Sequence, residues 1–488
     1  MGRIKEFTIE TFFYGFANVF SRFFAMLLIP IFTGFLGKID YANFVMLQSV
    51  FTFLTFLLAL NAGVFYYYYE YENRKYGKIV FTSWFYYQVF VAIGILILLF
   101  FFSPFINKIF IVNEANVVAL RWCVALLGVQ LFPYIFNITN INLFRIDRKP
   151  KKVVGIVFFE SLFTLAFVYI SLKFLNGGLV GVVLAQIIAR SLIALLYLKT
   201  SIFYLNINYF SKKILKKIIA FAWPFIIIST LGVIIVNIDK FIGASALSNK
   251  EDVAILALAM QLVIPISVLA DMIRMALGPY IMSVRRESDA EETYQKVFEL
   301  SVFAGLVVMV GLVMVSPFLT LILADESFMK VIYLIPMLAM AKVISLASTQ
   351  FSVSFNLAKK NVFILYSSLI GSAITVLVNY FFLNKYGYLV SGVSQIISYL
   401  LMSIFLYSLG RRIANLKIKL KNTLLLGSIV LAYFVSLIFV APLVLQGEYI
   451  LFLTTGTIAV ILIGLYYLHQ QNLSLKIVLN MLLGRFRR

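Results

Sequence analysis

The stretch TIETFFYGFANVFSRFFAMLLIPIFTGFL, residues 8–36, is apolar over most of its length and carries one arginine, Arg22, near its middle. A helix rises about 1.5 Å per residue, so a helix of this length crosses a hydrocarbon layer of about 30 Å. The Arg22 guanidinium then lies near the midplane, where a charged side chain costs about 2.5–3.5 kcal/mol on insertion scales. We therefore expect Arg22 to face a partner or a hydrated cavity and not lipid.

The composition extends this pattern to the whole chain. The 488 residues are 62% hydrophobic and 12% charged, with a mean hydropathy of +1.00, whereas soluble domains are about 25% charged. The first apolar run is too long for a secretory signal, whose apolar region has about 7–15 residues. We predict an all-α polytopic membrane protein whose first span stays attached.

One cysteine, Cys123, and one histidine, His469, limit the chemistry. A single cysteine allows no internal disulfide and no cysteine cluster for a metal. Histidine-based metal sites and Ser/His/Asp triads are equally disfavoured inside the bundle. We predict a transporter without catalytic residues, metal site or cofactor, and not an enzyme.

Apolar runs predict fourteen membrane spans. The spans lie near residues 11–35, 42–66, 80–102, 116–141, 154–174, 178–200, 217–239, 253–281, 297–323, 331–356, 362–382, 388–409, 423–445 and 450–468.

The formal charge of +21 has a topological origin, which argues against nucleic-acid binding. One set of alternating loops and termini carries 29 Lys and Arg residues. The other set carries seven, which are Lys38, Lys108, Lys173, Lys240, Lys250, Lys330 and Lys385. Positive residues accumulate on the cytoplasmic side, so we expect both termini to be cytoplasmic.

An internal repeat organises the spans. FLNGGLVGVVLAQII, residues 174–188, recurs as FLNKYGYLVSGVSQII, residues 382–397, at offsets of 208–210. Because each copy holds an even number of spans, the copies enter the membrane from the same side and are related by an axis along the membrane normal. This predicts a pseudo-two-fold pair of six-helix lobes, residues 1–207 and 208–410. Residues 411–488 add a helix pair with few polar side chains, for which we expect a peripheral role, and a basic tail.

Ionisable residues inside spans are candidate functional groups. They are Arg22, Glu160, Arg190, Asp271, Arg274 and Lys342. Asp271 and Arg274 are three residues apart and share a helix face, so they either neutralise each other or serve substrate or coupling roles. Glu160 and Arg190 leave the same two readings open. Arg22 and Lys342 have no acidic residue close in sequence and are the strongest candidates for binding an anion such as a diphosphate.

Two polar or aromatic runs have alternative interpretations. FYYYYEYE, residues 65–72, is typical of an interfacial aromatic belt, and the other reading is a surface that stacks on sugars. In NITNIN, residues 137–142, the amides of Asn137, Asn140 and Asn142 bond either to neighbouring helices or to substrate hydroxyls.

Three motifs, together with the pattern of six, six and two spans, resemble a known family. YYYYEYEN follows span two, FRIDRKPKK follows span four, and GPYIMSVRRESDAEETYQKVF follows span eight. They resemble polysaccharide-biosynthesis flippases of the Wzx type, a branch of the multidrug/oligosaccharidyl-lipid/polysaccharide exporter superfamily that is also related to the lipid II flippase MurJ.

The resemblance implies a bacterial inner-membrane flippase. Such a protein moves an undecaprenyl-diphosphate-linked oligosaccharide across the bilayer by alternating access, for O-antigen, capsule or exopolysaccharide, and its partners include polymerase and export machinery. By position, Arg22 and Arg274 are similar to cavity arginines of such flippases. Arg190 and Lys342 are added to these candidate substrate-binding residues because they lie deep in their spans. Asp271 and Glu160 are candidate groups for coupling transport to H+ or Na+.

Two alternatives stay open at this stage. A cation-coupled drug or metabolite antiporter shares the fold, although the arginine of span one stands where drug exporters commonly carry a carboxylate. A membrane glycosyltransferase or polymerase is disfavoured because the outer loops are short.

Overall fold

In a computed structural model the described part of the chain is built from helices and short connecting segments. The structure describes residues 2–70, 74–111, 116–204, 206–273, 290–358, 360, 362–413 and 418–470. The helices are α1 (Gly2–Phe35), α2 (Gly37–Leu58), α3 (Asn61–Glu70), α4 (Arg74–Ile106), α5 (Val117–Ile146), α6 (Pro150–Lys173), α7 (Gly178–Leu196), α8 (Leu198–Tyr204), α9 (Lys212–Ala246), α10 (Asp252–Leu262), α11 (264–273), α12 (Ala290–Leu323), α13 (Ile335–Leu357), α14 (Val362–Tyr386), α15 (Leu389–Ile413), α16 (Lys421–Val444) and α17 (Tyr449–Gln470).

The helices confirm the all-α membrane architecture. Thirteen helical segments of the described residues are long and apolar enough to cross a membrane, and a shorter apolar segment, Val19–Phe35, lies in α1. Together they account for the fourteen predicted spans. The predicted second span is one such segment, Gly37–Tyr68, although its helix is interrupted.

The interruption between α2 and α3 is stabilised by side chains of α4. Residues 59 and 60 leave the helix without a nearby proline, which frees backbone carbonyl groups inside a membrane span. The Trp84 indole N–H donates to the Leu58 carbonyl at 3.3 Å, and the Tyr87 hydroxyl donates to the Leu57 carbonyl at 3.0 Å. Hydrocarbon offers no water to such groups, so internal donors are required to keep the break.

Glycine residues allow close contacts between helices. A Cβ atom on Gly128 of α5 would lie 2.8 Å from the Leu96 Cα atom of α4. A Cβ atom on Gly63 of α3 would lie 2.7 Å from the Ile218 carbonyl oxygen of α9. Glycine at these positions lets the helix backbones meet, as is common between membrane helices.

The first of two compact units comprises Met1–Ala257 and Ser372–Val390. Its α1 packs on α6, where the Phe24 and Phe158 rings meet edge to face at 5.5 Å. One buried cluster of this unit joins α3, α4 and α9 through Val64, Trp84 and Ile218.

The second unit comprises Leu258–Gly371 and Ser391–Arg488. Within it, Glu299 of α12 forms hydrogen bonds to α16 and α17. This buried carboxylate accepts from Gln295 at 2.7 Å, from Asn422 of α16 at 3.1 Å and from Gln470 of α17 at 2.6 Å. The Phe303 and Tyr467 rings stack at 4.0 Å in the same region. The C-terminal helix pair is therefore bonded to α12 by polar side chains as well as by apolar packing.

Candidate functional site

Glu160 and Arg190 form an ion pair between α6 and α7. The Arg190 Nε atom donates to Glu160 Oε1 at 3.0 Å, and the side chains are 17% and 24% exposed, respectively. The Asn137 amide of α5 donates to Glu160 Oε2 at 3.0 Å and to the Arg190 carbonyl at 3.2 Å. Three helices therefore meet at one carboxylate, and the structure forms the pairing that the sequence left as one of two readings.

The Arg190 guanidinium also contacts an aromatic ring, and one of its nitrogen atoms is left to bind a further group. The guanidinium lies 4.6 Å from the centre of the Phe51 ring of α2, a distance at which the ring attracts a cation. Its Nη1 atom is buried and has no hydrogen-bond partner among the described residues. Because a buried N–H donor is costly to leave unpaired, this atom is suited to a further acceptor such as a water or an anion.

Glutamines extend the polar interior one helical turn from Arg190. The Gln186 Oε1 atom of α7 accepts from Gln48 of α2 at 2.8 Å and from Gln130 of α5 at 2.9 Å. These glutamines were not predicted, because an uncharged amide inside a span does not stand out from its sequence as an ionisable group does. A signal was present in the internal repeat, since Gln186 and Gln395 occupy matching positions and are both buried.

The three asparagines of NITNIN are buried and bond within the protein. Asn137 contacts Glu160, the Asn140 Oδ1 atom accepts from Ser201 at 2.9 Å, and Asn142 donates to Asn61 at 3.1 Å. Of the two readings of this motif, the structure forms the helix-to-helix contacts.

Lys240 corrects the sequence analysis, which placed it in an outer loop. Helix α9 continues to Ala246, and the Lys240 side chain is 1% exposed. Its Nζ atom donates to the Asn237 Oδ1 atom at 3.0 Å and to the Val236 carbonyl at 3.1 Å, and lies 3.9 Å from Asp239. Local oxygen atoms thus replace the water that a lysine needs.

The remaining predicted residues lie on separate helices. Arg22 is half-buried on α1, and Asp271 is half-buried on α11. Lys342 is half-buried on α13, with its Nζ atom 5.9 Å from the centre of the Tyr399 ring. Arg274 lies outside the described residues, so its predicted pairing with Asp271 stays a prediction. The substrate-binding roles of all these residues are likewise untested.

Comparison with known proteins identifies the family. A model of the family described as "Polysaccharide biosynthesis protein" matches residues 8–285. This chain belongs to the polysaccharide biosynthesis protein family. The family match confirms the resemblance inferred from the motifs. None of the curated proteins that were searched matches the chain in sequence.

Solved structures share the fold of this family member. An inward closed structure of the lipid II flippase MurJ is 13% identical, with a TM-score of 0.72, and covers 95% of this chain and 99% of its own. An inward-facing multidrug resistance MATE family transporter of the MOP superfamily is 17% identical, with a TM-score of 0.65, and covers 80% of this chain and 98% of its own. At these identities the likeness concerns the fold alone.

Proposed function

We propose that this protein is a flippase that moves an undecaprenyl-diphosphate-linked oligosaccharide from the cytoplasmic to the outer leaflet of a bacterial inner membrane. The product would supply O-antigen, capsule or exopolysaccharide assembly, with polymerase and export machinery as partners. The observation that carries the proposal is the match of residues 8–285 to the polysaccharide biosynthesis protein family. The flippase named among the solved structures has the same fold.

The cationic side chains inside predicted spans are consistent with a substrate that has an anionic head group. Arg22, Arg190 and Lys342 lie inside predicted spans and are only partly exposed. Arginine offers two parallel N–H groups to a phosphate and lysine offers a compact charge. We assign the diphosphate to Arg22, Lys342, Arg274 and Arg190, the last through its unpaired Nη1 atom.

Transport would use alternating access by the two predicted lobes, residues 1–207 and 208–410. Asp271 and Glu160 are the proposed groups for coupling to H+ or Na+. Glu160 already holds Arg190, so a proton or cation that competes for this carboxylate would also release the arginine.

A second candidate is a cation-coupled drug or metabolite antiporter. The observation that favours it is the half-buried Glu160 carboxylate in a fold shared with a multidrug resistance transporter. The two candidates differ in substrate charge, because a cationic drug would be repelled by the arginines and lysine assigned above.

A deletion strain separates the candidates. We expect loss of surface polysaccharide and accumulation of its lipid-linked repeat unit on the cytoplasmic side. Arg22→Gln combined with Lys342→Gln should reduce export, whereas Lys385→Gln, at an exposed position, should leave export unchanged. A strain that keeps its polysaccharide and becomes drug-sensitive would favour the antiporter instead.

A further inference from the structure

A row of two lysines and two aromatic rings runs along the first half of α9. Its members are Lys213, Lys217, Phe221 and Phe225, spaced four residues apart, so each lies about one turn beyond the last and about 40° further around the helix. Both lysines are exposed, and Phe225 is 43% exposed. We call these four residues the basic-aromatic row.

The neighbouring row of α9 explains why this one stays at the surface. Ile214, Ile218 and Ala222 each follow a member of the basic-aromatic row by one residue and are buried in the cluster with α3 and α4. One residue corresponds to about 100° around a helix. The basic-aromatic row therefore flanks the contact between α3 and α9 without being buried by it.

Helix α3 widens the aromatic part of the row. The Tyr66 ring lies 4.6 Å from the Phe221 ring at an angle of 18°, which is a parallel stack, and Tyr66 is 49% exposed. The close approach of Gly63 to the Ile218 carbonyl group holds the two helices at the distance that the stack requires. The exposed Tyr66 and Phe225, with the half-buried Phe221, form an aromatic surface two helices wide.

The order of charges and rings matches the order of groups in a lipid. The lysines occupy the predicted cytoplasmic end of α9 and the rings lie deeper, with Lys217 and Phe221 about 6 Å apart along the axis. A lipid of the cytoplasmic leaflet likewise places its phosphates at the interface and its chain toward the bilayer centre. Lysines at the interface can bind the phosphates of such a lipid, and the deeper aromatic rings can contact its chain.

We propose that the basic-aromatic row and Tyr66 form the docking site where the prenyl diphosphate lipid first binds from the cytoplasmic leaflet. Lys213 and Lys217 bind the diphosphate, and the rings of Tyr66, Phe221 and Phe225 contact the first isoprene groups. This inference rests on the proposed function, because it names the entry site of the same substrate. A diphosphate suits two adjacent ammonium groups better than the single negative charge of phosphatidylglycerol.

The test uses the full-length chain in phosphatidylcholine nanodiscs, with undecaprenyl diphosphate as the probe and native mass spectrometry as the measurement of bound lipid. Lys213→Gln combined with Lys217→Gln should weaken binding about thirty-fold, because each interfacial cation contributes roughly a fivefold effect. Lys213→Arg combined with Lys217→Arg should retain binding. Tyr66→Ala should weaken binding of undecaprenyl diphosphate while leaving binding of phosphatidylglycerol unchanged.

Lys212 and Lys216 provide the matched control. They are exposed, carry the same charge and lie one residue before the row lysines, about 100° around the helix. The inference requires that Lys212→Gln combined with Lys216→Gln binds the probe like the unaltered chain. Equal losses from both pairs, or equal competition by phosphatidylglycerol, would mean a general anionic-lipid surface and would overturn the inference.

Failure of the docking-site proposal can be distinguished from failure of the proposed flippase function. If the chain exports lipid-linked oligosaccharide and the row variants bind the probe normally, the docking site is wrong and the flippase stands. If deletion leaves polysaccharide export intact while the row still binds undecaprenyl diphosphate selectively, the proposed function is wrong and the lipid site stands.

Discussion

Arg190 and its ion-pair partner are held by three kinds of contact inside a predicted membrane span. Glu160 supplies the opposite charge at 3.0 Å, the Phe51 ring supplies a polarisable face at 4.6 Å, and Asn137 fixes the carboxylate. A charge inside the bilayer needs a partner because desolvation is expensive. Its position in α7 is therefore determined jointly by α2, α5 and α6.

Removing the carboxylate should destabilise the protein more than removing both charges. We expect Glu160→Ala to lower the free energy of unfolding by about 1–3 kcal/mol, because Arg190 and Asn137 lose their acceptor. Adding Arg190→Met should recover part of the loss, since replacing a buried ion pair by apolar groups is often tolerated. Thermal unfolding of the purified chain measures both changes.

The exposed pair of α12 serves as the control. Glu292 and Lys296 lie 2.6 Å apart with side chains 69% and 63% exposed, and this contact lowers the Glu292 pKa. Such surface pairs contribute little, so Glu292→Ala should leave the unfolding temperature nearly unchanged. If Glu292→Ala lowered the unfolding temperature as much as Glu160→Ala does, burial would not be the reason for the stabilisation by Glu160.

For single residues, the sequence identifies charged groups inside spans but not the side chains that contact them. Glu160 and Arg190 were recognisable because charges are rare in spans, but their pairing requires that α6 and α7 lie side by side. Lys240 was misplaced because its stabilising oxygen atoms come from Val236 and Asn237 in the same helix. A lysine next to an apolar run looks the same in sequence whether the helix ends there or continues.

Contacts between helices depend on positions where a side chain is absent. Gly128 of α5 faces the backbone of α4, whereas Gly94 of α4 has no atom of the described residues within 4 Å of its potential Cβ position. These glycines differ only in their surroundings, which sequence patterns do not reveal. The same limit applies to the break at residues 59 and 60, whose stabilising donors come from α4.

Gly128→Ala should push α4 and α5 apart. The new Cβ atom would lie 2.8 Å from Leu96 Cα, and backbone cannot move aside as a flexible side chain can. We expect a loss of about 1–3 kcal/mol of stability, the usual cost of overpacking. Gly94→Ala should be neutral or stabilising by up to about 1 kcal/mol, because alanine favours the helix. Equal unfolding temperatures for the two variants would show that the α4 and α5 contact is not close.

The C-terminal helices should loosen when Glu299 is replaced. Glu299→Ala leaves the amides of Gln295, Asn422 and Gln470 without their shared acceptor. We expect faster hydrogen exchange in α16 and α17 than in the unaltered chain. Glu448→Ala, an exposed position before α17, should leave exchange unchanged. An unaltered exchange pattern in the Glu299 variant would mean that apolar packing alone holds the pair.

At the scale of the whole molecule, hydropathy and charge predicted most of the architecture. Span number and helical class follow from the length of apolar runs, since membranes accept unbroken helices far more readily than other structures. The predicted lobes and their symmetry stay predictions. The site was only partly predictable, because which helices contact each other depends on side-chain packing throughout each unit.

The positive-inside asymmetry predicts an orientation that can be measured on α6. Cys123, the chain's single cysteine, is buried, so Cys123→Ala gives a cysteine-free background. Lys151 and Lys173 are exposed near opposite ends of α6. A membrane-impermeant maleimide on intact cells should label Lys173→Cys, and should label Lys151→Cys only after permeabilisation. The reverse pattern would invert the predicted topology.

The three amide contacts of Glu299 also bear on synthesis. Glu299 is synthesised more than a hundred residues before Asn422 and Gln470, so its carboxylate at first lacks two of its three amide donors. Until the last helices arrive, that carboxylate carries a desolvation cost that no distant helix relieves. A chain that stops before α16 therefore keeps this carboxylate without the Asn422 and Gln470 donors, and we expect its α12 to be less stable than in the finished protein.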